Sequence, residues 1–117
     1  MYAVVKTYSG RGAAEMFDVL EERKDEVVNL MRTISGFNAY TVIRDDLGGV
    51  TVAIFQDKKG ADESQLISRE WRKRHCPNLH MSPPMVSEGP VILNLSLDRQ
   101  AALEELADQG KATMKDG

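Results

Sequence analysis

Residues 37–56 read FNAYTVIR (37–44), DDLGG (45–49) and VTVAIFQ (50–56). The two flanking runs are rich in β-branched and aromatic residues, and the five-residue link between them holds two glycines, so the segment predicts an antiparallel hairpin. Alternate residues of a strand point to opposite faces. In the first strand Phe37, Ala39 and Ile43 oppose Tyr40 and Val42; in the second Val50, Val52 and Ile54 oppose Ala53 and Phe55. Both faces of the hairpin are therefore apolar, and an isolated two-stranded ribbon is at best marginal in water. It needs further strands at its sides and cover on both faces.

The flanking sequence supplies them. Tyr2 to Tyr8 reads as a strand stopped by Ser9, Gly10, Arg11 and Gly12. From Ala13 apolar residues recur at helical spacing (Ala13, Met16, Phe17, Leu20, Val27, Val28, Met31, Ile34), which predicts one amphipathic helix ending near Ser35 and Gly36. Lys24 falls inside that stripe and must carry its ammonium out to water along a packed stem. Beyond the hairpin, Asp62 and Gln65 have the form of a capping box, Ile67 and Trp71 share a side of the following helix, and Arg72, Lys73 and Arg74 arrive near its C-terminal end, before Pro77. Residues 78–89 read as a long loop or arm, and Pro90 to Leu97 as a last strand. A short helix over Ala101, Leu103, Leu106 and Ala107 is expected in the tail (98–117), fraying from Gly110. The order βαββαβ over residues 1–97 is that of a ferredoxin-like α+β domain, a four-stranded antiparallel sheet with two helices on one face.

Two helices cover one face only. The other would expose more apolar surface than monomers usually tolerate, so a homodimer through the open sheet face is expected, with the tail folding back as the competing cover. A chain of 117 residues can bury a core without a disulfide, and Cys76 is alone in any case, which with a strand-like N-terminus points to the cytoplasm. The net charge of −3, with dispersed acids, argues against nucleic acid as a partner, and no apolar run is long enough to cross a membrane.

With Ser35, Gly36 and Phe37 opening the second strand and an aromatic residue on the second helix, residues 1–97 resemble the dimeric α+β barrel superfamily and, more narrowly, its antibiotic-biosynthesis monooxygenase-like group. The resemblance implies a pocket between sheet and helices. It admits cofactor-independent oxygenases, haem-degrading enzymes, isomerases and proteins without an assigned role, so fold comes ahead of function.

The residues that could give such a pocket character are Asn38, Tyr40, Trp71 and His75. Trp71 and His75 are four apart and share a helix face. An oxygenase that takes electrons from its own substrate needs a donor or base near a substrate hydroxyl and an aromatic wall; His75, Trp71 and Asn38 are the catalytic candidates, Tyr40 and Trp71 the ligand-binding ones. The bland reading makes Trp71 core and His75 a helix-end cap. His75, Cys76 and His80 are three donors where a structural zinc site wants four, so no metal is expected. Gly10, Arg11 and Gly12 precede Glu15 where a phosphate loop would carry a third glycine, and no cofactor is expected. The reading is thus a protein that binds a small organic molecule, with a cofactor-independent monooxygenase of an aromatic or polyphenolic substrate and a non-catalytic dimerisation or regulatory module as alternatives.

Overall fold

The computed structural model describes residues 1–96, 100 and 103–108. Four antiparallel strands, β1 (Tyr2–Ser9), β2 (Phe37–Asp45), β3 (Gly48–Phe55) and β4 (Met85–Pro90), form one sheet in the order β2-β3-β1-β4. Helices α1 (Ala13–Glu22), α2 (Lys24–Arg32) and α3 (Lys58–His75) lie on one face. This is the expected ferredoxin-like α+β fold.

The hairpin turn is tighter than the spacing suggested. Asp45 pairs with Gly48, leaving Asp46 and Leu47 as the loop, and the Leu47 amide donates to Asp45 Oδ1 at 2.9 Å. Gly48 and Gly49 are needed for clearance. A Cβ on Gly48 would meet the Tyr8 carbonyl and Ala13, and one on Gly49 would overlap the Phe17 ring and the Ile43 carbonyl. Their bareness lets α1 press Phe17 into the sheet, where it also meets Tyr8 edge to face at 5.9 Å.

Four expectations are corrected. The helix from Ala13 is two helices, broken at Arg23 (φ −111, ψ 25), where the 3.6-residue stripe is interrupted by Lys24. Lys24 opens α2 and is exposed, and Met31 is the buried residue of that helix. The cap of α3 is not Asp62 but Asp57, whose carboxylate accepts from the Gly60 amide at 3.2 Å; Asp62 instead pairs with Lys58 one turn away at 2.9 Å. A bulge at Asn38 shifts the register of β2, so Phe37 points to the helices and stacks edge to face on Phe55 at 6.2 Å, rather than sharing a face with Ala39 and Ile43.

The last strand is the fourth correction. It is Met85–Pro90, inside the stretch read as a loop, because the connection from α3 is pinned early: the Ser82 amide donates to the Arg11 carbonyl at 3.1 Å, and Met81 packs against Gly12. Proline is tolerated there because β4 is an edge strand. The apolar run that follows overshoots the sheet. Val91 still donates to the Met1 carbonyl at 2.9 Å, but Ile92, Leu93 and Leu95 are 99%, 83% and 90% exposed.

Opposite the helices, Ala3, Val5, Ala39, Ile43, Val50, Val52, Ile54 and Met85 share the open face with Thr7, Thr41 and Ser87. In the tail Leu103 and Leu106 remain 52% and 61% exposed, so they are not its cover. The remainder of the expected frayed tail lies outside the described residues.

Replacing Gly49 by alanine tests the clearance on which α1 depends. The added methyl must displace the Phe17 ring or the hairpin, and chemical denaturation should show a loss of about 2 kcal/mol or more. A loss within about 0.5 kcal/mol, typical of an innocuous substitution, would contradict this packing.

Candidate functional site

The core under the helices is not continuous. One apolar cluster gathers Val4, Met31, Ile34, Ala53, Phe55 and Ala61, and a second gathers Tyr8, Ala13, Met16, Phe17, Leu20 and Cys76. Between them runs a polar band. Along β1 the inward positions are Val4, Lys6 and Tyr8; along β3 they are Phe55, Ala53 and Thr51; and α3 supplies Ser64 and Ser68 at the same level. Lys6 pairs directly across from Thr51, and both are buried, at 8% and 7% exposure.

The band borders a cavity of about 40 Å³ beneath α2, walled by Tyr8, Tyr40, Thr51, Ser68, Trp71 and Arg72. That volume holds a water molecule or two. Larger clefts open on either side of α2: about 240 Å³ between α2 and α3, bounded by Leu30, Trp71 and His75, and about 270 Å³ between α2 and β2, bounded by Val27, Tyr40 and Arg44. Val27, Leu30 and Met31 roof the inner cavity, and Tyr40 and Trp71 form walls common to it and the clefts. Each cleft is of a size to admit a single aromatic ring system.

The electrostatics favour an acceptor-rich guest. A second cavity of about 30 Å³ adjoins the first, sharing Tyr8, Met31, Tyr40, Thr51 and Ser68 with it and lined also by Lys6; the first carries Arg72 and the second Lys6 as cation, and neither is lined by an Asp or Glu. Burial, reinforced by Arg72 and Arg69, lowers the Lys6 amine to about 8, with Glu88 acting weakly against it. Burial raises the Tyr8 phenol, and raises Tyr40 to about 12, so both stay protonated and able to donate at neutral pH. Trp71 Nε1 is buried without a hydrogen-bond partner, an unused donor in the same wall. Ser64 Oγ is satisfied by the Ala61 carbonyl at 2.6 Å.

Of the residues singled out from sequence, Tyr40 and Trp71 line the cavity. His75 stands one turn from Trp71, ring centroids 5.2 Å apart, but faces the outer cleft with Nε2 3.6 Å from Glu26 Oε2. Asn38 does not join them: it is the exposed bulge residue at the far end of β2. Among the described residues no group of three His, Cys, Asp or Glu side chains gathers, so His75, Cys76 and His80 do not assemble a metal centre, and burial raises the Cys76 thiol. Sequence reasoning missed Lys6, Tyr8, Thr51, Ser68 and Arg72. The signal for Lys6 was present, since it lies in phase with Val4 and Tyr8 on the inward side of its strand.

No family description matches the sequence, and no curated protein matches it. Solved structures do. A monooxygenase from the gene ActVA-Orf6 of Streptomyces coelicolor, in complex with nanaomycin D, is similar with a TM-score of 0.55 at 20% identity, over 82% of this chain and 91% of its own. Rv0793 from Mycobacterium tuberculosis gives 0.60 at 19% identity, over 81% of this chain and 98% of its own. A mutant of SnoaB, a cofactor-independent oxygenase from Streptomyces nogalater, gives 0.50 at 16% identity, over 82% and 95%. The likeness is one of fold, and it agrees with the α+β fold read from the element order.

The polar band makes its own thermodynamic prediction. A lysine whose amine is lowered to about 8 in the fold and titrates near 10.5 when unfolded opposes folding at neutral pH, and that opposition fades as pH rises from 8 through 10.5. Because the amine is not wholly cut off from water, Lys6→Met should gain about 1–2 kcal/mol at pH 7. The gain should vanish above about pH 10.5, read by urea denaturation across the range. A pH-independent difference would contradict the lowered, unpaired amine.

Proposed function

We propose that the protein is a homodimer that binds a small planar organic molecule under α2, its ring in the clefts and its oxygens turned to the polar band. The observation that carries this is the set of donors lining two adjoining acid-free cavities, Lys6 in one, Arg72 and the unpartnered Trp71 Nε1 in the other and the Tyr8 and Tyr40 hydroxyls in both, while the carboxylates Glu21 and Glu70 stand at the outer clefts. Such a set recognises carbonyl and hydroxyl oxygens on a ring. The reaction it best supports is cofactor-independent oxygenation of an aromatic or polyphenolic substrate, in keeping with the oxygenase chemistry stated for two of the fold neighbours. Trp71 is the wall against which the ring lies, Tyr40 a second wall and donor, and His75 a group at the entrance. The water-sized inner cavity favours a second reading, a non-catalytic dimerisation or regulatory module in which the same residues are packing. No helix among the described residues is long and apolar enough to cross a membrane; with the single cysteine, a cytoplasmic location is part of the proposal.

The second copy covers the open sheet face. Ile43 and Met85 on that face are 52% and 78% exposed, and the overshooting Ile92, Leu93 and Leu95 lie next to the edge strand β4 in sequence.

A dimer at low micromolar concentration in sedimentation, converted to monomer by Val52→Lys at the centre of the open face, is the expected outcome for the assembly; a wild-type monomer would exclude it. For the ligand, a panel of hydroxylated naphthoquinones and anthraquinones should quench the fluorescence of Trp71, the single tryptophan. Oxygen uptake should fall tenfold or more in Trp71→Phe, about 1.4 kcal/mol of transition-state stabilisation, and less in His75→Ala. Quenching without oxygen uptake leaves a binding protein, and silence in both leaves the module.

A further inference from the structure

We propose that Lys6 is the proton acceptor and counter-ion for an acidic ring hydroxyl, phenolic or enolic, of the molecule bound under α2. The inference rests on the ligand reading above and deepens it by naming the chemical class of the ligand and the group that ionises it. Lys6 lies on an interior strand of the sheet, flanked by β3 and β4, with Tyr40, Thr51, Ala53, Ser64 and Ser68 around it. Among the described residues it makes no ion pair; its stem is packed inside, the residue being 8% exposed, while its Nζ keeps some access to water. The nearby acid, Glu88 on β4, is exposed and accepts from the Tyr2 hydroxyl at 2.9 Å. An unpaired cation at the edge of an acid-free cavity offers a counter-charge to an anion brought from outside.

The charged and titratable groups facing Lys6 leave it the proton-accepting role. Tyr8 on β1 and Tyr40 on β2 are held protonated by burial, Arg69 and Arg72 on α3 are permanent cations, Glu88 acts from β4, and α2 contributes only Met31. The Lys6 amine, lowered to about 8, is neutral in an appreciable fraction of molecules near physiological pH. The step is a proton transfer: the ligand O–H bond breaks, an N–H bond forms on Lys6 Nζ, and the electron pair of the broken bond stays on oxygen. A phenolate beside an ammonium results, with Arg72 adding positive charge and no electrons exchanged. Ionising a phenol or enol in this way raises its electron density, which is the condition for a ring that must itself reduce oxygen.

The test uses the full chain and 7-hydroxycoumarin, whose phenol and phenolate absorb at different wavelengths, at pH 6.5 where the free probe is mostly the neutral phenol. Wild-type protein should quench Trp71 on binding and raise the phenolate fraction of the bound probe at least tenfold over that of the free probe. Lys6→Met and Lys6→Gln, two replacements in case one fails to fold, should bind it as the neutral phenol. 7-Methoxycoumarin, which has no proton to give, should bind wild type and variants within threefold of each other. A probe that binds wild type with Trp71 quenching yet stays neutral, or becomes phenolate equally in the variants, overturns the role of Lys6 and leaves the ligand pocket standing. Absence of any quenching by either coumarin in wild type overturns the pocket itself, and this assignment with it.

Discussion

The structure is organised around one lysine in an expensive place. Lys6 sits on a central strand with its side chain turned inward, and no carboxylate shares its cavity. Isolated buried charge costs several kcal/mol or shifts its own titration until it is neutral, and the lowering to about 8 is that compromise. Other polar residues share its level of the core: Thr51 across the ladder and Ser64 and Ser68 on α3 line the same small cavity. The core is thereby cut into two apolar clusters, bridged chiefly by Val27 on α2, which packs against both.

That division explains the form of the helical layer. A continuous helix from Ala13 to Arg32 would need an unbroken stripe, and the break at Arg23 releases α2 from the line of α1. The short α2 then buries Met31 alone and spans the gap between α3 and β2, leaving a cleft along each side. An element with so little buried area has little holding it to the core, and low local stability is characteristic of the parts of a fold that admit ligands. Arg23 to Glu26 at 3.0 Å is a surface pair worth at most about 1 kcal/mol, so it does not lock the helix.

The sheet and its hairpin were legible because period-two patterning over residues 37–56 and 2–8 is strong and the turn chemistry is explicit. What failed had physical causes. Asn38 is an ordinary strand residue until the register is seen, and the bulge there reverses the face of Phe37. The run VILNLSL (91–97) outscores MVSEGP (85–90) as a strand on composition, yet the ladder belongs to the second because Ser82 and Met81 are fixed to the loop before α1. Among the residues lining the cavities, Tyr40 and Trp71 had been singled out as aromatics. His75 was placed on the right helix face but belongs to the outer cleft. Thr51, Ser64 and Ser68 were invisible singly, because small hydroxyl residues are common anywhere; only their alignment with Lys6 across three elements makes them a set.

The misread run carries the last step. Residues that look like a strand and are not paired with one present both unused backbone groups and exposed apolar side chains, a combination single chains rarely keep open. Ile92, Leu93 and Leu95 are not part of either core cluster, and α1, α2 and α3 lie on the face opposite the open one. Two unsatisfied apolar surfaces on one chain are economically resolved by one two-fold assembly, in which each copy offers the other an arm and a face. The proposed assembly and the proposed site are connected through the strand that carries the lysine: one side of it lines the small polar cavity, and the other, Ala3 and Val5, lies on the open face.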